Sequence, residues 1–273
     1  MDINSCAILN NGTEIPLLGL GTWQSKAGKE TYDAVQLSLE LGYRHIDTAA
    51  IYGNEFDVGK AIKESGIGAD EIFVTTKVWN TDQGYDSTLR AFEESTKKLG
   101  MDYVDLYLIH WPMTNLRKDT WKALIYIYET RGARSIGLSN YAEKHIAELL
   151  LDSPIQPTIN QIEITPYLYQ KDLVNYCFEN KILIEAYSPL IRGRKFDDKR
   201  LQEIASNYNK SMAQILIRWS LQKGFVVLPK SVNPIRMKEN ADVFDFEINE
   251  NDMMILDSFN ENYRVAWDPT TIE

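Results

Sequence analysis

Little in this sequence suits disulfide or metal chemistry. Its 273 residues include only two cysteines, Cys6 and Cys177, and three histidines, His45, His110 and His145. Two cysteines make neither a disulfide framework nor a thiolate cluster, and they point to a reducing cytoplasm. The scattered histidines lack the His-x-His pair of a metal-dependent barrel hydrolase. "HID" (45–47) offers one His and one Asp on the same side of a strand, so no metal is expected. Positive charge is also short, with 29 Lys and Arg against 39 Asp and Glu and a net charge of -10. That balance argues against binding nucleic acid by phosphate neutralisation. Long apolar runs are missing too. "FVVLP" and "LYLIHWP" are far too short to cross a bilayer. The opening "MDINSCAILNNGTEIP" has no basic n-region, and no signal peptide is read. No linker or low-complexity tract divides the chain, so residues 1–273 are expected to form one domain.

What is present is an alternation of strand and helix patterns behind a hairpin. "CAILNNGTEIPLLGLG" places Asn-Asn-Gly between two apolar runs, a β-hairpin signal. Residues 29–41 put Tyr32, Val35 and Leu39 at helical spacing before Gly42. Leu89, Phe92, Thr96 and Leu99 mark a second helix face, closed by Gly100, and another helix is predicted near 119–131. Strands are predicted at "HIDTA", "FVTTKV" (73–78), "YVDLYLIH" (103–110), "ARSIGLS" (133–139), "PTINQIE" (157–163), "ILIEAYS" (182–188) and "FVVLP" (225–229). With "LLGLG" (17–21) they make eight, which predicts a (β/α)₈ barrel.

Polar or aromatic residues stand at or just past the strand ends: Asp47, Lys77, His110, Asn140, Gln161, Tyr187 and Lys230. In a barrel those ends form one mouth, so Asp47 and the following Tyr52 would share a pocket with Lys77 and His110. Singly these residues are ordinary: an Asp caps a strand, a loop Tyr packs, and a His ends an apolar strand. Lysine, though, is almost never buried unpaired, and Asp47 is the obvious partner for Lys77, in a structural or a catalytic pair. Acting together, the four make a proton-donating site without a metal. An ammonium beside Tyr52 is expected to lower its pKa, Asp47 to keep Lys77 charged and oriented, and His110 to donate a hydrogen bond to a carbonyl oxygen.

"GLGTWQ" (19–24) lacks the third glycine of a Rossmann fingerprint. "LPKSVNPIRMKEN" (228–240) is a better anion site, because Asn233 can cap a helix that begins at Pro234. Lys230, Ser231 and Arg236 gather around that helix start, where an acidic chain is not expected to collect cations by chance. Arg236 and Asn240 share a helix face, suited to a phosphate and an adenine. Asn140 and Gln161 could bind a carboxamide, and Tyr187 offers a face for a nicotinamide ring.

"GYRHIDTAAIYGNE", "FVTTKVWN", "VDLYLIHWP", "RSIGLSN", "NQIE", "AYSPL" and "LPKSVNPIRMKEN" together resemble the aldo-keto reductase family, in its motif order and over nearly the whole chain. "NTDQGYDSTL" (80–89) is similar to the short microbial and protozoan branch, which holds diketogluconate, methylglyoxal and prostaglandin-F synthase-like reductases. The resemblance implies a (β/α)₈ barrel that uses NADPH to reduce small aldehydes, ketones or α-dicarbonyls. It puts the catalytic tetrad on Asp47, Tyr52, Lys77 and His110. It implies cofactor contacts from Gly21, Thr22, Trp23 and Asp47, with Ser139, Asn140 and Gln161 on the carboxamide and Tyr187 stacked on the ring. Ser188 and Leu190 would line the pyrophosphate path, and Lys230, Ser231, Val232, Asn233, Arg236, Glu239 and Asn240 the adenosine end. Trp23, Trp79 and Trp111 would wall the substrate pocket beside Tyr52 and His110. Two positions depart from the pattern: Thr165 replaces the family's usual histidine, and Ile191 replaces the branch's usual glycine. A monomer is expected. The alternative is a non-catalytic nicotinamide-binding barrel of the channel-subunit or lens-protein type.

Overall fold

The computed structural model describes residues 1–273. Strands β1 (Cys6–Ile8) and β2 (Glu14–Pro16) form the expected antiparallel hairpin. Eight parallel strands follow in sequence order: β3 (Leu20–Gly21), β4 (His45–Asp47), β5 (Phe73–Val78), β6 (Val104–Ile109), β7 (Ala133–Ser139), β8 (Ile159–Glu163), β9 (Leu183–Tyr187) and β10 (Val226–Leu228). A bridge from Leu18 to Val227, with Gly19 N–H donating to the Val227 carbonyl at 2.9 Å, joins the first strand to the last. The sheet is thus a (β/α)₈ barrel. No helix is long and apolar enough to cross a membrane.

Strand and helix bounds follow the sequence reading with small shifts. The strand expected from Pro157 begins at Ile159, since proline has no N–H to give a ladder. The helix expected at 119–131 runs Arg117–Glu129. The helix Tyr85–Leu99 buries Phe92 and Leu99 and stops at Gly100, whose φ of 67° a side chain would resist.

All six residues of β5 are buried, because the barrel covers one face and helices the other. The period of two then sorts them. Thr75 and Lys77 meet residues of the interior, while Thr76 Oγ1 donates outward to Glu55 at 2.7 Å, on the helix Glu55–Glu64. On β4 the same rule sends both His45 and Asp47 inward. The barrel interior therefore carries a polar column through an otherwise apolar core.

Candidate active site

At the C-terminal strand ends lies a cavity of about 560 Å³. Asp47, Tyr52 and His110 line it together with Trp23, Trp79 and Trp111. Lys77 stands beneath, fully buried, with all three ammonium hydrogens directed to oxygen. Its Nζ donates to Asp47 Oδ1 at 2.8 Å, to the Thr48 carbonyl at 2.9 Å and to Tyr52 Oη at 3.5 Å. The structure thus brings the four predicted residues together. Asp47 satisfies the lysine, which in turn leans on the phenol.

The electrostatics differ from the expectation at one point. Tyr52 was expected to have a lowered pKa. Instead, burial pushes it well above 10, with Asp47 and Glu185 adding to the rise. Burial is the larger cause, and no opposing effect of the ammonium offsets it. Tyr52 is therefore a neutral phenol, with its proton in place. His110 is held well below its ordinary value, by burial first and Lys77 second, and is a neutral imidazole. Its ring lies edge-on to Trp79 at 5.1 Å and to Tyr52 at 5.7 Å.

One wall carries amides. Asn140, at φ 63°, donates from Nδ2 to the His110 carbonyl at 3.0 Å and accepts from Tyr187 Oη at 2.7 Å. Ser139 Oγ donates to the Gln161 carbonyl at 3.0 Å. Ser139, Asn140, Gln161, Tyr187, Ser188 and Leu190 all line the cavity. Gly21 does as well, and a Cβ there would stand 3.4 Å from the Leu228 carbonyl. Thr22 is buried behind the wall, its Oγ1 donating to the Asp47 carbonyl at 2.9 Å.

The adenosine-end residues are placed differently. Lys230 lines the cavity, its ammonium reaching the Gln24 carbonyl at 3.3 Å. Ser231, Val232, Asn233, Arg236, Glu239 and Asn240 lie beyond the cavity, around the helix Pro234–Ala241. Asn233 caps that helix as expected, its Oδ1 accepting from Ile235 N at 3.0 Å and Arg236 N at 3.2 Å. Those two amides are thereby occupied, so an anion would rest mainly on side chains. Arg236 is exposed and Asn240 buried, so the shared face points partly inward.

The sequence points to the tail "NENYRVAWDPTTIE" as a pocket wall but to none of its residues in particular. Val265, Ala266 and Trp267 line the cavity, and Trp267 faces Trp111 with ring centroids 5.8 Å apart. Arg192 also lines it, next to Ile191, which sits at φ 54°. A β-branched residue in left-handed backbone costs about 1–2 kcal/mol, which is why glycine suits that turn. Thr165, the other departure, is buried in a turn closed by Leu168 and does not line the cavity.

A (β/α)₈ barrel with a buried Lys–Asp pair under a tyrosine and a histidine defines the class. The aldo/keto reductase family profile matches residues 17–261, and the chain belongs to that family. It is 49% identical over 261 residues to the glyoxal reductase of Bacillus subtilis, covering 96% of this chain and 95% of that one. It is 47% identical over 268 residues to the 9,11-endoperoxide prostaglandin H2 reductase of Trypanosoma cruzi, covering 97% and 95%. The structure of a Bombyx mori aldo-keto reductase in complex with NADP superposes with a TM-score of 0.90 at 38% identity, covering 98% and 97%.

Proposed function

We propose that this chain reduces small aldehydes, ketones and α-dicarbonyls with NADPH, and that Tyr52 gives the proton. The observation that carries the reading is the meeting of Tyr52, His110 and the Lys77–Asp47 pair at one cavity floor. Its relatives fit this chemistry, one being named for glyoxal and another bound to NADP.

The residues present suit a nicotinamide cofactor. Asn140 and Gln161 bring amides to the cavity, Tyr187 brings an aromatic face, and Lys230 an ammonium. Arg236 adds an exposed guanidinium at the adenosine end. NADPH, when bound, supplies the hydride. The chain's own work is to place and protonate the carbonyl. His110, neutral and beside Tyr52, donates a hydrogen bond that orients the carbonyl oxygen. Tyr52 passes its proton to that oxygen, and the phenolate left behind faces the Lys77 ammonium 3.5 Å away. Asp47 keeps that ammonium oriented. Trp23, Trp79, Trp111 and Trp267 supply apolar walls with few groups that select one ligand.

Residues 1–273 are taken as one catalytic domain, working as a monomer in the cytoplasm and independent of nucleic acid. The test is absorbance at the reduced-nicotinamide band, followed with a panel of aldehydes, ketoses and α-dicarbonyls. Loss of absorbance with methylglyoxal and aromatic aldehydes, at efficiencies within about two orders of magnitude of each other, is the expected result. No turnover with any carbonyl would favour a non-catalytic nicotinamide-binding role.

A further inference from the structure

Below the tetrad lies a second carboxyl group for which the proposed chemistry has no use. Glu185, on β9, is completely buried. Gln161 Nε2 stands between the two acids, donating to Asp47 Oδ2 at 2.8 Å and to Glu185 Oε2 at 2.6 Å. Glu185 Oε1 faces His45 Nε2 at 3.5 Å and has no hydrogen-bond partner. His45 Nε2 also contacts Thr75 Oγ1 at 3.2 Å, and Gly19 leaves the space its ring occupies.

Two constraints act on this group. The first is charge. Lys77 is the one ammonium in contact with the cluster, and it is already spent on Asp47. A second ionised carboxyl would stand uncompensated in the barrel, so Glu185 keeps its proton and acts as a neutral acceptor. The second is amide geometry. A primary amide has two hydrogens, and Asp47 and Glu185 take both. The side-chain oxygen of Gln161, Oε1, accepts nothing from the chain, and Gln161 lines the cavity.

We infer that Glu185 is a positioning residue that fixes the Gln161 amide with its nitrogen inward, leaving Gln161 Oε1 to accept from the N–H of the nicotinamide carboxamide. Without Glu185, one of the two bonds that hold the Gln161 nitrogen inward is lost, and the fraction of the amide that inverts sets N–H against N–H. Nothing in the local sequence reveals this, because 138 residues separate Glu185 from Asp47.

The inference rests on the proposed nicotinamide site, and the experiment separates the two. Dissociation constants would be measured by tryptophan-fluorescence quenching for NADPH, for 2′,5′-ADP, which lacks the nicotinamide, and for NADP⁺ beside its 3-acetylpyridine analogue, which lacks the amide N–H. In Glu185→Leu, NADPH is expected to bind roughly tenfold more weakly, the value of about one hydrogen bond, with 2′,5′-ADP unchanged. The preference for NADP⁺ over the acetylpyridine analogue should shrink in the same variant. Glu185→Gln, which still presents a carbonyl to Gln161, should stay within about threefold of the parent for NADPH. If Glu185→Leu does not fold, Glu185→Asp carries the same expectation, since the shorter acid cannot reach Gln161. Unchanged NADPH binding in the Leu and Asp variants, an equal loss for 2′,5′-ADP, or a Gln variant as weak as Leu would overturn the inference alone. A parent protein that binds 2′,5′-ADP but shows no preference for NADP⁺ over its analogue would overturn the nicotinamide site as well.

Discussion

Glu163 holds Val265 in place: its Oε1 accepts the Val265 N–H at 2.6 Å while its other oxygen accepts that of Ala266 at 2.9 Å. A buried carboxylate at the end of β8 thereby ties the tail across the cavity mouth and sets Trp267 opposite Trp111. Hydrogen bonds to a charged group contribute about 1.5–3 kcal/mol each. Glu163→Ala should therefore free the tail and remove one aromatic wall. KM for an aromatic aldehyde should rise about tenfold, with a much smaller change for methylglyoxal, which has no ring to pack on Trp267. Equal KM values in parent and variant for both substrates would show that the tail does not form the pocket.

Tyr52 is the one acidic hydrogen aimed at the proposed carbonyl position. Tyr52→Phe should lower kcat by about 10² or more and leave NADPH binding intact. Lys77→Met removes the charge that faces the phenolate and strands Asp47 in the barrel, so it should cost both activity and stability. A Tyr52→Phe enzyme with near-normal turnover would place the proton donor elsewhere.

Arg236 and Lys230 are the cations proposed for the 2′-phosphate. Arg236→Ala should weaken NADPH about tenfold or more and leave NADH almost unaffected, as judged by the two dissociation constants. An equal loss for both would mean that Arg236 reads a part common to the two cofactors. Because Asn233 already occupies the Ile235 and Arg236 amides, Asn233→Ala tests the cap separately, and its main effect should be on stability, by about 1 kcal/mol.

The buried column also makes stability depend on pH, in two directions. The Glu185 carboxyl is pushed up to about 8, by burial first and then by the Asp47 charge, with Gln161 and Lys77 opposing. The groups facing it are Asp47 and His45 on β4, Lys77 on β5, Gln161 on β8 and the Tyr52 phenol. An acid raised in the folded state gives stability that is full below its unfolded value of 4.5 and lost as pH rises through about 8. His45 is held down to about 3, chiefly by burial. Its contribution is full above 6.5 and lost as pH falls toward about 3. Between 4.5 and 6.5 the two slopes oppose each other; above 6.5 only Glu185 acts. The Tm of the parent should fall from pH 6.5 to 8.5, and that of Glu185→Gln should fall less. Parallel curves would mean that Glu185 is ionised throughout.

The sequence by itself determined the barrel and the identity of the four residues at its floor. Strand patterns of period two, separated by helix-length segments, put Asp47, Lys77 and His110 at successive strand ends, and a parallel barrel gathers such ends at one mouth. Residue type and spacing were enough, because each of those positions is a local consequence of where a strand stops. The tertiary structure decided what depends on neighbours across the barrel. "LIEAY" reads as any buried strand, and nothing in it announces that Glu185 meets the far side of Gln161. "VAW" in the tail carries no period, yet Glu163 fastens it over the cavity. The raised pKa of Tyr52 has the same origin. A lysine close by in the motif predicts a fall, but the sign is set by desolvation and by the total charge inside the barrel, and that charge is known only once distant strands are packed together.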